Sequence, residues 1–160
     1  MPNYDAIIIG TGQAGPALAR RLVAANWNVA IIERKLFGGT CVNTGCTPTK
    51  TLVASEYTAH VVRRAAEYGV TVEGAVTVDM KAVKARKDAV VAPPRDGVAR
   101  SLKTLEGCTV YEGHGRFVTE KKVAVNDSEL VADHIFINVG GRAAVPPIPG
   151  LDQVPYLTNS

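Results

Sequence analysis

The 160-residue sequence predicts an α/β protein. Three observations lead there. The apolar run "YDAIIIG" at residues 4–10 ends in glycine, an amphipathic helical pattern follows at once, and a second apolar run, "NVAIIE" at 28–33, follows that. Both runs are continuous rather than alternating, as in strands covered on both faces of a parallel sheet.

The first run is read as a strand and residues 14–26 as a helix, with Leu18, Leu22 and Ala25 on one stripe and Asn26 as its stop. The second run closes a βαβ unit of the usual right hand. A further helix is expected to begin at Pro48, capped by the Thr47 hydroxyl, and to run to about Tyr68 before Gly69. Another begins near Asp79, and Pro93 and Pro94 are expected to kink or break it before "RDGVARSLKTLEG". "CTVYEGHGRFVT", "KVAVN" and "ELVA" alternate like short antiparallel strands, a small β-meander, and "HIFINVGG" reads as a buried strand returning to the parallel sheet. Residues 1–145 are thus expected to form one domain and the proline-rich 146–160 a linker.

Eighteen Lys and Arg against fifteen Asp and Glu leave a net charge of +3, scattered along the chain, which argues against a nucleic-acid surface. The basic cluster "VKARKD" reads as the solvated face of a helix. No apolar run approaches the roughly 20 residues of a membrane span and the N-terminus lacks a secretory pattern, so no membrane partner and a cytoplasmic location are expected.

Gly10, Gly12 and Gly15 form G-x-G-x-x-G on the turn between the first strand and its helix. They suit, in turn, a tight turn, close backbone approach to a pyrophosphate, and packing of helix on strand. The helix start, with Gln13 and Ala14, adds free N–H groups and the positive dipole end. Glu33 ends the second strand, where a carboxylate can accept hydrogen bonds from both hydroxyls of an adenosine ribose. Dinucleotide binding follows from this order of elements, with FAD and NAD both open; an acid at this position disfavours a 2′-phosphate.

Two of the three cysteines, Cys41 and Cys46, stand in "GGTCVNTGCTPTK" at residues 38–50. On a regular helix their Cα atoms would lie roughly 8.6 Å apart, beyond the limit of about 7 Å for a disulfide, so a bridge requires distorted or pre-helical backbone, which nearby glycines permit. Cys46 precedes a helix start with Lys50 about one turn on, and both features favour a thiolate. Zinc lacks ligands, because Cys108, His60, His114 and His134 are dispersed, so no metal is expected. Two unrelated buried thiols remain an alternative. Cys108 reads as a small buried hydrophobe.

These residues resemble the class I pyridine-nucleotide disulfide oxidoreductases, the group that includes glutathione reductase, lipoamide dehydrogenase and mercuric reductase. "GGTCVNTGCTPTK" is similar to their redox-disulfide signature, and the resemblance extends over "IIIGTGQAG", "VAIIER", "EGHGRF" and "IFINVGGRAAVPPIPGL". It implies a Rossmann-like FAD-binding domain and a Cys41–Cys46 redox disulfide. It also implies that Glu33 and Arg34 lie at the adenosine ribose, and that Gly39 and Thr40 lie with the glycine loop at the pyrophosphate. The backbone of His114 and Gly115 is then at the adenine, Gly140 at the cofactor, and Lys50 beside the flavin ring. Cys46 would be the flavin-proximal thiol and Cys41 the interchange thiol, passing electrons to a disulfide or other small acceptor.

In that family NAD(P)H binds a second glycine-loop module, and a dimerisation domain supplies a catalytic histidine. No second G-x-G-x-x-G follows Gly15 and none of the three histidines stands in that motif. The chain is therefore expected to be the N-terminal part of the FAD domain, inactive alone with NAD(P)H; a homodimer is expected for the full-length protein, with the state of this chain left open. The competing expectation is a stand-alone FAD-binding or thiol module without turnover.

Overall fold

A computed structural model describes residues 1–158. The elements are β1 (Asn3–Ile9), α1 (Ala14–Ala24), β2 (Val29–Glu33), α2 (Gly39–Asn43), α3 (Cys46–Arg63), α4 (Met80–Lys103), β3 (Cys108–Glu112), β4 (Arg116–Thr119), β5 (Lys122–Val125) and β6 (Ser128–Ile137). They form one six-stranded sheet of order β3-β2-β1-β6-β5-β4. The strands β3, β2, β1 and β6 pair parallel, whereas β4-β5 and β5-β6 pair antiparallel. The expected parallel sheet with a small meander is present.

Alternation along β1 divides its residues between two packed faces. Ala6 and Ile8 join Val29 and Ile31 on the face covered by Ala19 of α1 and Leu102 of α4. Ile7 and Ile9 join Ala30 and Ile32 on the other, with Val123, Val125 and Leu130 from the meander. Ile7, Ile8, Ile31 and Leu102 are wholly buried, each contributing about 1.5–3 kcal/mol through removal of apolar surface from water. Tyr4 and Tyr111 bring a hydroxyl pair 2.8 Å apart to the second face. Burial first, and then that hydrogen bond, push the Tyr111 hydroxyl up to about 12.

Several expectations are corrected. The segment at 108–112 is not part of the antiparallel set: β3 pairs in parallel with β2, Val29 opposite Cys108 through Glu33 opposite Glu112. As an edge strand it is only partly covered, with no residue fully buried, so it lacks the continuous apolar run that marks β1 and β2. "ELVA" and "HIFI" lie on one ten-residue strand, β6, which pairs with β5 from Ser128 to Val131 and with β1 from Val131 to Ile137. The helix expected from Pro48 begins at Cys46, with Gly45 and not Thr47 at its N-cap and no side-chain cap. It stops at Arg63; a 3-10 turn over Ala65–Tyr68 then leads to Gly69 at φ 75°.

Pro93 and Pro94 do not break α4. They remove the donors that would reach the carbonyls of Ala89 and Val90, both exposed residues at which water can substitute. Asp79 caps α4 by accepting from the N–H groups of Lys81 at 2.8 Å and Ala82 at 3.2 Å. Arg86 of α4 donates to the Thr51 carbonyl of α3 at 2.9 Å, holding the two helices together. Residues 146–158 are irregular apart from a 3-10 turn at Leu151–Gln153, and the last two residues of the expected linker lie outside the described residues. Among the described residues no helix is long and apolar enough to cross a membrane.

Candidate functional site

The carboxyl ends of β1, β2 and β6 open onto a cleft of about 1180 Å³, on the scale of the largest small-molecule sites. β1 lies between β2 and β6, so the cleft sits where the connections from the central strand diverge, the usual ligand position in such sheets.

Gly10 follows β1 at φ 106°, and a Cβ there would stand 2.2 Å from the Asn138 carbonyl oxygen. Only glycine allows β1 to turn there against the end of β6. Its N–H donates to the Ile32 carbonyl at 2.8 Å, so the turn is tied to β2. Gly39 has φ 62°, and a Cβ on it would come within 2.7 Å of the Gly12 Cα, so the loop ahead of α2 lies directly on the glycine loop. A Cβ on Gly12 would meet nothing nearer than 3.4 Å. Gly12 lines the cleft, and its missing side chain therefore leaves room for a ligand rather than for the fold. No side chain caps α1, whose first turn opens beside Gly12 and Gln13 in the cleft wall.

Of the expected site residues, Gly10, Gly12, Gln13, Glu33, Arg34, Gly39, Thr40, Cys41, His114, Gly115 and Gly140 line this cleft. Ala14, Gly15, Cys46 and Lys50 are not part of its wall: Gly15 is buried beneath the turn, and the other three are exposed. Glu33 already receives three hydrogen bonds. Its Oε2 accepts from the Thr11 N–H at 3.1 Å and the Thr11 hydroxyl at 2.5 Å, and its Oε1 accepts from the Lys35 N–H at 2.9 Å.

Cys41 and Cys46 are joined by a disulfide, with Cα atoms 4.6 Å apart. The required break in helical backbone is present: α2 ends at Asn43, and Thr44 and Gly45 intervene before Cys46 opens α3. Gly45 permits this return, since a Cβ on it would stand 2.9 Å from the Thr40 carbonyl oxygen and 3.3 Å from the Cys41 Cα. Cys46 is the first residue of an 18-residue helix whose end has no side-chain cap, and the helix dipole there favours a thiolate whenever the bond is reduced. Lys50, four residues on, shares its helix face. Cys108 is far less activated: it is half-buried, and burial pushes its thiol up to about 11.

Three residues of the site were not anticipated. Thr11 is wholly buried and holds Glu33. The Asn138 amide donates to the carbonyls of Gly10 at 3.3 Å and Gly12 at 3.4 Å. The Asn43 amide donates to the carbonyls of Phe37 at 2.8 Å and Gly39 at 2.9 Å, leaving its buried Oδ1 without a partner among the described residues. Their signal in the sequence was faint: each is a polar residue set among glycines or at the end of an apolar run.

A largely parallel sheet with a glycine-turn cleft and a disulfide at its wall defines the class: an α/β protein with a paired-cysteine centre beside a glycine-turn cleft. A family model described as "Pyridine nucleotide-disulphide oxidoreductase" matches residues 4–159, and the chain belongs to this family. It is 37% identical over 151 residues to a dihydrolipoyl dehydrogenase of Acholeplasma laidlawii, covering 94% of this chain and 45% of that protein. It is also 37% identical over 158 residues to a mercuric reductase of Bacillus cereus, covering 99% of this chain and 25% of that one. Among solved structures, the Cu(II) complex of the HOCl-induced flavoprotein disulfide reductase RclA from Escherichia coli superimposes with a TM-score of 0.76 at 34% identity, covering 97% of this chain and 32% of that one. The chain thus spans less than half the length of these relatives.

Proposed function

We propose that the cleft binds FAD and that Cys41–Cys46 is a redox disulfide handing electrons to an external disulfide or other small acceptor. The observation that carries this reading is the contact between two loops: Gly39, two residues before Cys41, lies against Gly12 of the glycine turn. A dinucleotide lying along that turn would therefore pass beside the cysteine pair.

The residues present fit such a group. The glycine turn, the α1 start and Thr40 would meet the pyrophosphate, Glu33 and Arg34 the adenosine ribose, and the backbone of His114 and Gly115 the adenine, with Gln13 and Gly140 completing the wall; Lys50, outside that wall, is assigned to the flavin ring by its position in the signature alone. When bound, FAD would supply a two-electron relay between reduced nicotinamide and the cysteines.

The chemistry of this chain's own residues is thiol–disulfide exchange. With the pair reduced, the Cys41 thiolate attacks one sulfur of the acceptor; the acceptor's S–S bond breaks, and its first half leaves as a thiolate that takes a proton from water. Cys46 then attacks the Cys41 sulfur, the second half leaves in the same way, and the Cys41–Cys46 bond re-forms. Two electrons have moved from the protein dithiol to the acceptor. Cys46, at the α3 N-terminus, is held as thiolate for the closing step, and the 4.6 Å Cα separation keeps the two sulfurs within reach. Assignment of Cys46 as the flavin-proximal thiol and Cys41 as the interchange thiol follows their positions in the signature.

For the whole protein we propose NADH or NADPH as electron donor and a homodimer as the working form. Equilibrium titration of FAD onto the purified chain tests the cleft: saturable binding of one FAD per chain, weakened at least tenfold by Glu33→Ala, is expected. No binding by the unaltered chain would remove the cofactor reading.

A further inference from the structure

Thr11 occupies the first variable position of G-x-G-x-x-G, where the turn itself requires no side chain. It is nonetheless wholly buried, and a buried hydroxyl must be paired. The Gly38 N–H donates to Thr11 Oγ1 at 3.2 Å, and that hydroxyl donates to Glu33 Oε2 at 2.5 Å. The direction of this relay is forced. An N–H can only donate and an ionised carboxylate can only accept, so the single hydroxyl proton must point to Glu33.

Two consequences follow. With the Thr11 N–H also on it, Oε2 holds both bonds it can readily accept, while Oε1 holds one, from Lys35. The open acceptor position of the carboxylate is therefore on Oε1. Second, Gly38 is the N-cap of α2, three residues ahead of Cys41, so the same hydroxyl fastens the start of the cysteine loop to the acid that ends β2.

We propose that Thr11 is a positioning residue that presents Glu33 Oε1 to a ribose hydroxyl of the bound dinucleotide and fixes the Cys41 loop relative to it. The proposal rests on the reading of the cleft as an FAD site. It also narrows the expectation for Glu33: the carboxylate has one open position for the ribose hydroxyl pair rather than one for each hydroxyl.

The test is a double-mutant cycle on the full chain, reading FAD affinity by fluorescence titration and fold by a thermal melt without FAD. Thr11→Val keeps the shape and removes the hydroxyl; Glu33 is then no longer pre-oriented, which weakens FAD binding by about tenfold. Thr11→Ser restores the hydroxyl and most of the affinity. In a Glu33→Ala background Thr11→Val costs clearly less FAD affinity than in the parent, because only its bond from the Gly38 N–H is then left to lose. An equal loss in both backgrounds, or no loss in either, overturns the proposal. Thr11→Ala serves the same comparison if valine is not accommodated. Absence of FAD binding by the unaltered chain would instead overturn the cofactor reading, and this proposal with it.

Discussion

Replacement of Gly15 by alanine probes the packing beneath the cleft. A Cβ on Gly15 would lie 2.4 Å from the Gly10 carbonyl oxygen and 3.0 Å from Asn138 Nδ2. The first distance is about 0.6 Å short of the 3.0 Å that real Cβ atoms keep, and both α1 and the β1 end are fixed by packing that resists small shifts. Overpacking of this kind costs about 1–3 kcal/mol. For a chain of this size each kcal/mol lowers Tm by about 2–4 °C, so Gly15→Ala should melt roughly 2–12 °C below the parent. The Gly10 carbonyl also accepts from Asn138, so its displacement disturbs the cleft floor, and FAD affinity should fall with Tm. Gly97, inside α4, is the control. A Cβ there meets nothing within 4 Å, and alanine should raise stability by about 0.5–1 kcal/mol through reduced backbone entropy. Differential scanning calorimetry of the two variants is the assay. A Gly15→Ala protein that melts with the parent and binds FAD equally would refute the packing argument.

Two further outcomes are expected. With its thiol raised from 9.0 to about 11 by burial, Cys108 should resist iodoacetamide in the folded chain at pH 8. A raised folded value means that its proton-linked stabilisation is complete below pH 9 and is lost as pH climbs toward 11; rapid labelling of Cys108 at pH 8 would count against its burial. Pro93→Ala or Pro94→Ala should restore a donor within α4 and raise stability by up to about 3 kcal/mol, read as a higher urea midpoint, whereas a lower midpoint would show that the prolines are required.

The β1-α1-β2 unit was legible because both of its strands are buried on two faces, which leaves uninterrupted apolar runs. The cysteine centre was legible through its signature. β3 was misread because an edge strand is only half covered, and β6 was split in two because Asp133 and His134 are exposed polar residues just past Val131, where its pairing with β5 ends. The prolines of α4 misled because their local cost is outweighed by anchors on either side: Val91 before them and Leu102 after them are buried. Thr11 and Asn138 escaped notice for a different reason. Their bonding partners lie 22 to 128 residues away along the chain, and only the folded sheet brings them together.

The link between cofactor and cysteines is tested most directly by anaerobic reductive titration of the FAD-loaded chain, counting electrons while recording the visible spectrum. A flavin and a disulfide in communication accept four electrons per bound FAD, and a long-wavelength band from thiolate beside flavin appears at the midpoint. Cys46→Ser should accept two and show no band. Uptake of only two electrons by the unaltered chain, with no such band, would contradict the account.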